Sequence, residues 1–320
     1  MVDRYPLAYL PTPIEALPGL TRQLNGPQLF IKRDDLTGLG IGGNKTRKLE
    51  YLVADALKQG CETLMSTGAV QSNHCRQVAA AAAKAGLACI LVLAGDEPEE
   101  RQGNLLLDFL SGAKTIFVNR AERDAELQKA YESTKSAGKK PYLIPYGGSS
   151  AIGALGYLEA MRELKEQELD PDWVVFASSS GGTHAGMALG ARVHGLKAKV
   201  LGIDIDNLNL KFGATIANLA NETASLLGLD FRLNPEDILL NEDYCQSGYG
   251  QLQPTEIEAI KLFASSDAIL LDPVYTGRAA AGMLDLIAKG FFEAEEKVLF
   301  WHTGGTPALF AEPYQAMLGR

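Results

Sequence analysis

The chain contains 320 residues, of which 46% are hydrophobic and 22% are charged. These values are typical of a globular protein that buries one large core or divides into two lobes. With 30 basic and 39 acidic residues, the net charge is −9. This charge argues against a nucleic-acid partner or an anionic membrane surface, because either would require a basic patch on the protein.

Targeting and metal-binding patterns are absent from the sequence. The segment 1–6 lacks the apolar stretch of a secretory signal, and no run approaches the ~20 apolar residues of a membrane span. The four cysteines have no CxxC spacing, and the four histidines have no short ligand spacing. We therefore expect a cytoplasmic protein with reduced thiols, no membrane association and no metal site.

Short apolar segments that favour strands alternate along the chain with segments of helical periodicity. The expected strands, in chain order, are 29–33, 63–66, 88–93, 115–118, 173–177, 199–203 and 298–301. The expected helices are 45–58, 73–84, 121–137, 152–165, 184–194, 255–264 and 277–288. Alternation of helices with strands that are apolar almost throughout predicts parallel sheets covered by helices on both faces.

The helix expected from Lys45 onward has an unusual beginning, because this lysine directly follows the glycine-rich segment 38–44. Asn44 is a suitable N-cap. A lysine in the first turn, however, is opposed by the partial positive charge of the helix N-terminus. The glycines leave room for a bulky group to approach the backbone. Since burial and nearby positive charge lower the pKa of a lysine, Lys45 is a candidate reactive amine.

Two points in the chain are suited to crossings between lobes. One is the segment 145–150, which is rich in glycine and serine, and the other is the glycine run before Lys45. We therefore predict a discontinuous larger domain made of residues 1–45 and 151–320. Residues 46–150 are predicted to form a smaller α/β domain.

A turn rich in hydroxyl groups, 178–183, follows the strand expected at 173–177. A strand, a loop of hydroxyls and glycines, and then a helix direct several backbone N–H groups at an anion. The alternative is a tight turn in which Thr183 only caps the helix. Four hydroxyl groups are more than a cap requires, so we favour a phosphate site. The glycine run before Lys45 does not match the Walker or dinucleotide-binding patterns.

A third polar segment, 67–74, joins an expected strand to an alanine-rich helix. Its side chains and the N–H groups of the helix start could bind a carboxylate and orient a ring. The alternative is a helix cap provided by Ser72 or Asn73. His74 on its own would more often be a structural histidine with a satisfied hydrogen bond.

Two tyrosines and a threonine segment complete the candidate set. Tyr249 lies between two glycines, and Tyr275 follows an Asp-Pro-Val segment. Each tyrosine alone would more often be a half-buried core aromatic whose hydroxyl has found a partner. The segment 302–306, which contains Thr303, follows an expected strand, and strand ends present polar groups to ligand crevices.

Taken together, these segments resemble the pyridoxal-phosphate enzymes of the aminocyclopropane-carboxylate deaminase and D-cysteine desulfhydrase family. The similarity extends from residue 11 to residue 308 and is most specific in four motifs, Gly42-Gly43-Asn44-Lys45, Gln71-Ser72-Asn73-His74, Asp272-Pro273-Val274-Tyr275 and His302-Thr303-Gly304-Gly305. The resemblance implies a tryptophan-synthase-β-like fold (pyridoxal-phosphate fold type II), with two open parallel sheets and the cofactor held by the larger domain. It also implies a small amino-acid substrate and a homodimer.

The resemblance implies roles for the residues that would hold the cofactor, pyridoxal 5′-phosphate. Lys45 would bind it as a Schiff base, and its freed amine would then move the Cα proton. The phosphate would be held by four consecutive residues, Ser180, Gly181, Gly182 and Thr183. Asn73 would donate to the ring hydroxyl, and Thr303, with Thr276 as a second candidate, would face the pyridine nitrogen.

The resemblance also implies which residues would contact the substrate. Its carboxylate would be surrounded by the residues of the second motif, Gln71, Ser72, Asn73 and His74. Tyr249 and Tyr275 would act nearby as proton carriers or as partners of Ser72. Lys45, Ser72 and the two tyrosines are therefore the expected catalytic residues.

The threonines bear on the choice of substrate. A threonine hydroxyl cannot keep a pyridine protonated as a carboxylate would, so the ring is a weaker electron sink and loss of a β-substituent is favoured. Family members that open the cyclopropane ring carry glutamate and leucine where this chain has Thr276 and Thr303. We therefore expect α,β-elimination on D-cysteine, which gives pyruvate, hydrogen sulfide and ammonia. The alternatives are an L-cysteate sulfo-lyase, an aminocyclopropane-carboxylate deaminase and, least favoured, a non-catalytic ligand-binding relative.

Overall fold

Two β-sheets with helices between their strands organise the protein. The computed structural model describes residues 2–206 and 211–319. Its strands, in chain order, are β1 (Ile14–Ala16), β2 (Gln28–Arg33), β3 (Thr63–Ala69), β4 (Ala88–Ala94), β5 (Lys114–Val118), β6 (Pro141–Leu143), β7 (Trp173–Ser178), β8 (Lys199–Asp204), β9 (Leu239–Asn241) and β10 (Lys297–His302).

The α-helices of the described residues begin with α1 (Pro18–Leu24), α2 (Lys45–Lys58), α3 (Asn73–Ala85), α4 (Gly103–Leu110), α5 (Arg123–Ser136) and α6 (Ala151–Glu166). The remaining helices are α7 (Gly182–His194), α8 (Phe212–Leu226), α9 (Pro254–Asp267), α10 (Thr276–Ala288) and α11 (Tyr314–Leu318). None of them is both long enough and apolar enough to cross a membrane.

The larger sheet has the strand order β1-β2-β10-β7-β8-β9. Its strands pair in parallel except for β1, which runs antiparallel to β2. The register of the central strands aligns their carboxyl ends, since His302 at the end of β10 pairs with Arg33 at the end of β2. The loops that follow β2, β10 and β7 therefore meet at one edge of the sheet, where ligand crevices form in open α/β sheets.

The smaller sheet has the order β5-β4-β3-β6, and all its pairings are parallel. Its strands all lie between residues 63 and 143, whereas every strand of the larger sheet lies outside that range. This division agrees with two α/β units. The predicted domain boundaries at 45/46 and 150/151 stay predictions.

Alternation along β7 explains how the larger sheet is covered on both faces. Trp173 and Val175 lie in one hydrophobic core with residues of α9 and α10. Val174 and Phe176 lie in another core with residues of α6 and α7. Successive side chains of a strand point to opposite faces, so a strand that is apolar throughout is buried on both sides, as the sequence predicted.

The expected strands and helices are all present, with ends that differ by a few residues, and helix α2 has the predicted bounds. Seven elements were not predicted: β1, β6, β9, α1, α4, α8 and α11. Helix α8 contains β-branched, glycine and asparagine residues of low helix propensity. It is stabilised by packing, since Ile216, Ala217 and Ala220 are buried in a core with α7.

Candidate active site

Lys45 is the first residue of helix α2, and the glycine run before it makes a tight turn at the end of the larger sheet. Gly42 has φ +63°, and a Cβ there would collide with the carbonyl oxygen of Asp35, so only glycine fits. The backbone N–H of Asn44 donates to the carbonyl oxygen of Thr303 at 2.9 Å. The lysine is thereby held against the loop that follows β10.

The prediction that Asn44 is the N-cap of helix α2 is confirmed by its position, but its side chain does not make the hydrogen bond expected of a cap. The amide Nδ2 instead donates to Thr183 Oγ1 at 3.1 Å. Because Thr183 belongs to the hydroxyl-rich turn after β7, this contact joins the lysine loop to that turn.

Burial and charge act in opposite directions on Lys45. Burial lowers the pKa of Lys45 from 10.5 to about 8, and the nearby carboxylate of Asp206 acts in the opposite direction. Lys48, one turn further along the helix, is fully buried and donates from Nζ to the carbonyl oxygen of Gly147 at 3.0 Å. Its pKa is lowered by burial and by the charge of Lys45. Because the pKa of Lys45 itself is lowered to about 8, an appreciable fraction of its amine is neutral near neutral pH.

The turn after β7 forms a cradle at the start of helix α7. Gly181 is the N-cap with φ +84°, a conformation that favours glycine, and Thr183 is the second residue of the helix rather than its cap. The hydroxyl of Ser149 accepts from the backbone N–H of Gly182 at 3.0 Å and donates to Ser180 Oγ at 2.8 Å. The helix N-terminus and the hydroxyl groups of the turn thus converge, as an anion site requires.

Ser72 and Asn73 lie at the start of helix α3. Ser72 is its N-cap, and the side-chain oxygen accepts from the backbone N–H of Cys75 at 3.2 Å, so the capping alternative holds for this residue. Asn73 Oδ1 accepts from Asn104 Nδ2 at 2.9 Å. This bond leaves the amide hydrogens of Asn73 available to a ring oxygen.

The segment before α3 is attached to the start of α4. Gln71 uses both ends of its amide, since Nε2 donates to the carbonyl oxygen of Gln102 at 3.0 Å and Oε1 accepts from the backbone N–H of Asn104 at 2.9 Å. The contact of Gln71 with a substrate carboxylate stays a prediction, and the second hydrogen of Nε2 is available for it.

His74 is buried and neutral. Its Nε2 lies 2.8 Å from Ser66 Oγ, which itself donates to the carbonyl oxygen of Ile144. Ser66 must therefore accept, so Nε2 carries the proton and Nδ1 is an acceptor. Burial, then Lys45 and Lys48, lower the pKa of His74 well below its usual value. A permanently neutral ring suits a structural or hydrogen-bonding role better than proton transfer.

Tyr249 and Tyr275 form a hydroxyl pair, with 2.7 Å between their phenolic oxygens. Their rings meet edge to face at 5.8 Å. Burial is the main reason why the pKa of each tyrosine is raised well above its usual value. Both phenols therefore keep their protons near neutral pH and can act as donors.

The loop that carries Tyr249 is held by Arg278, which is almost fully buried. Arg278 Nε donates to Glu256 at 2.6 Å, and its terminal nitrogens donate to Ser247 Oγ and to carbonyl oxygens that include those of Gly248 and Gln251. One rigid guanidinium thus fixes both ends of the loop on either side of Tyr249.

The two threonines have different positions. Thr303 lines the cleft together with Lys45. The hydroxyl of Thr276 donates to Asp272 Oδ1 at 2.8 Å and accepts from the backbone N–H of Asp272 at 2.7 Å, and Thr276 does not line the cleft. This geometry favours Thr303 for the contact with the pyridine nitrogen, which stays a prediction for both threonines.

A single cleft brings together seven of the predicted site residues, which are Lys45, Asn73, Ser180, Gly181, Thr183, Tyr275 and Thr303. The other predicted residues lie behind or beside its lining, and they are Gln71, Ser72, His74, Gly182, Tyr249 and Thr276. No group of three or more histidine, cysteine or acidic residues suited to a metal ion occurs in the described part of the chain.

Sequence reasoning missed four residues that support the cleft. Ser149 lies in the segment 145–150, which we interpreted only as a crossing between lobes. Lys48 could have been found from its position one helical turn after Lys45. Asn104 and Arg278 have no sequence signal, because each acts through contacts with residues distant in the chain.

A cofactor with an anionic phosphate and an aromatic aldehyde fits the donors of this cleft. The helix start at Gly181 and the hydroxyls around it suit a phosphate. The Asn73 amide can donate to a ring oxygen, and the Lys45 amine can attack a carbonyl in its neutral form. Thr303 also lines the cleft, and it offers the ring a hydroxyl rather than a carboxylate.

The sequence and the fold both match proteins of one family. The family model described as "Pyridoxal-phosphate dependent enzyme" matches residues 5–304. The 1-aminocyclopropane-1-carboxylate deaminase of Methylobacterium nodulans is 42% identical, over 96% of this chain and 96% of the relative. The D-cysteine desulfhydrase of Salmonella choleraesuis is 43% identical, over 96% of this chain and 95% of the relative.

A solved structure described as an ACC deaminase homologue superimposes with a TM-score of 0.91 at 41% identity, covering 99% of this chain and 95% of the other. An O-ureido-L-serine synthase, at 16% identity and a TM-score of 0.69, shares the fold. The predictions of the fold class and of the cofactor, pyridoxal phosphate, are confirmed. The chain belongs to the pyridoxal-phosphate-dependent enzyme family, and its relatives include ACC deaminases and D-cysteine desulfhydrases.

Proposed function

We propose that this pyridoxal-phosphate-dependent lyase catalyses α,β-elimination on D-cysteine. With one water, the reaction gives pyruvate, hydrogen sulfide and ammonia. The observation that carries the proposal is the hydroxyl of Thr303 in the same cleft as the Lys45 amine. A relative named D-cysteine desulfhydrase supports it, although relatives named as deaminases are equally similar.

Lys45 has the properties required for two successive tasks. In its neutral form, the amine can bind the aldehyde of the cofactor, and after release it can take the Cα proton of the substrate. A pKa of about 8 is close to physiological pH, where a general base works best. Pyridoxal phosphate, when bound, supplies the conjugated ring that withdraws electrons from Cα.

Thr303 influences the direction in which those electrons leave. A neutral hydroxyl beside the pyridine nitrogen stabilises a protonated ring much less than a carboxylate would. With the cofactor bound, Thr303 would therefore favour departure of a group from the β-carbon over accumulation of negative charge on the ring. A thiol is a suitable leaving group, because it departs as hydrosulfide or, with one added proton, as hydrogen sulfide.

The tyrosine pair can supply that proton. Tyr275 lines the cleft, and its hydroxyl lies 2.7 Å from that of Tyr249. Because burial keeps both phenols protonated, Tyr275 can donate to a departing sulfur and be resupplied through Tyr249. The start of α3 is suited to hold the substrate carboxylate through the backbone N–H groups of its first residues, Asn73 and His74.

L-Cysteate elimination is the second candidate. The cavity beside the cleft is lined by two arginines, Arg120 and Arg123, which could attract a β-sulfonate. Assays of D-cysteine, L-cysteine, D-serine, L-cysteate and aminocyclopropane carboxylate, scored for keto acid and released sulfur, separate the candidates. We expect sulfide from D-cysteine; turnover of aminocyclopropane carboxylate or cysteate without it would refute the proposal.

Substitutions of the two threonines test the role of Thr303. Thr303→Leu, alone and combined with Thr276→Glu, should reduce sulfide release from D-cysteine, and full activity in the double variant would contradict the role of Thr303. A homodimer and a cytoplasmic location stay predictions. Light scattering of the purified protein tests the first of them.

A further inference from the structure

A second cavity, which we call the vestibule, adjoins the cleft that holds Lys45. Its lining includes Ala69, Tyr146, Asp206, Tyr249, Arg120 and Arg123. Two side-chain pairs separate it from the cleft. One is the tyrosine pair, and the other is the hydrogen bond that Ser179, a cleft residue, donates to Asp206 Oδ2 at 2.7 Å. The two cavities thus share one wall made of hydrogen-bonded side chains.

Asp206 is an unusual residue for this wall, because an acidic residue is buried here with only 7% exposure. Oδ2 accepts from Ser179, but Oδ1 is buried and accepts no hydrogen bond from any residue the structure describes. Buried carboxylate oxygens are normally satisfied, so an orphaned one calls for an explanation. A ligand in the vestibule that donates a hydrogen bond would satisfy it.

The substrate's side chain is the part that can reach the vestibule. The hydroxyl-rich turn at 180–183 is suited to the phosphate, and the start of α3 at Ser72 and Asn73 is suited to the carboxylate. Lys45 would form the imine. Tyr275 lines the cleft, and its partner Tyr249 lines the vestibule together with Asp206, so a β-substituent directed at the tyrosine pair would approach Asp206.

We propose that Asp206 determines substrate specificity, by accepting a hydrogen bond from a neutral β-substituent such as a thiol and by repelling an anionic one such as a sulfonate. This inference rests on the proposed function, because it assigns the preference for D-cysteine over cysteate to one side chain. Asp206 would also counteract the attraction of Arg120 and Arg123 for an anionic substituent.

The arginines are less able to select an anion than their charge suggests. Arg123 stacks on the ring of Tyr146, with 5.0 Å between its Cζ atom and the ring centroid, and its Nε donates to Asp124 at 2.9 Å. Arg120 is exposed, so water and salt screen its charge. Asp206 is buried and therefore acts on a nearby charge through a lower effective dielectric.

The test measures binding of amino acids without a leaving group to the enzyme with its cofactor. Alanine has a neutral β-carbon and aspartate an anionic β-substituent, and each enantiomer can be titrated through the absorbance change of the bound cofactor. We expect Asp206→Asn to lower the ratio of the aspartate to the alanine dissociation constant by roughly tenfold or more, since a like charge is removed. Asp206→Ser is the second variant, should the first fail to retain the cofactor.

Asp96→Asn is the matched control, because Asp96 also lines the vestibule but is exposed. Its ratio should stay within about twofold of the wild type. An unchanged ratio in both Asp206 variants, an equal change in the Asp96 variant, or no spectral response of the wild type to either amino acid would overturn the inference. If the ratio responds but D-cysteine yields no sulfide, the role of Asp206 stands and the proposed reaction fails.

Discussion

The depressed pKa of Lys45 makes a quantitative prediction about how the protein acquires its cofactor. Only a neutral amine attacks an aldehyde. At pH 7, a lysine with the ordinary pKa of 10.5 is neutral in about 0.03% of molecules, whereas a pKa of about 8 makes about 10% neutral. Lys45 should therefore have roughly 300 times more reactive amine than an ordinary lysine at the same pH.

The assay uses protein stripped of cofactor, to which pyridoxal phosphate is added over a range of pH. Borohydride stops the reaction at intervals, and mass spectrometry quantifies the label on the peptide that contains Lys45. The initial rate should rise with pH and reach half its plateau near pH 8. Label on any other peptide is background, and the Lys45→Ala protein measures that background directly.

A variant tests the physical cause of the shift. The carboxylate of Asp206 favours the charged form of Lys45 and so opposes the effect of burial. Asp206→Asn should therefore move the half-point of the pH profile below that of the wild type. A wild-type half-point at or above pH 10, or a shift to higher pH in the variant, would refute the electrostatic argument.

Three other substitutions test further parts of the molecule. Arg47→Ala removes the cation paired with the buried carboxylate of Asp34 and the partly buried carboxylate of Glu163. It should lower the free energy of unfolding by about 3–5 kcal/mol in urea titrations, whereas the exposed Arg162→Ala should cost less than about 1 kcal/mol. Arg278→Lys keeps the positive charge but removes the planar guanidinium, whose several N–H groups hold the loop of Tyr249. We therefore expect kcat to fall by roughly tenfold or more without loss of cofactor. Gly182→Ala puts a Cβ 2.7 Å from the Ser149 hydroxyl and should weaken cofactor binding in dialysis by about tenfold, with an unchanged circular dichroism spectrum.

Local patterns were sufficient to predict the elements that carry the site. Helix α2 begins at Lys45 as predicted, because the glycine run ends there and the helical periodicity begins. The turn around Ser180 and the start of α3 at Asn73 were also identified, since each follows an apolar strand and precedes a helix. These signals lie within a few residues of one another in the chain.

Other features depend on contacts between distant segments. Asn44 is of a residue type that commonly caps helices through its side chain, yet its side-chain amide donates a hydrogen bond to Thr183, 139 residues away. Helix α8 has weak propensity and is stabilised by the core it joins. Asn104 and Arg278 orient site residues through buried hydrogen bonds. No local pattern could identify them, because their partners come from other elements.

The sequence by itself determined the chemistry that is available: a reactive amine, a hydroxyl-rich anion site and a polar helix start, each encoded within a few consecutive residues. The tertiary structure decided how these groups meet. Strand β10, near the end of the chain, inserts between β2 and β7, so the loops with Lys45, Thr303 and Ser180 adjoin at one sheet edge. That order depends on long-range strand pairing, which no short segment specifies.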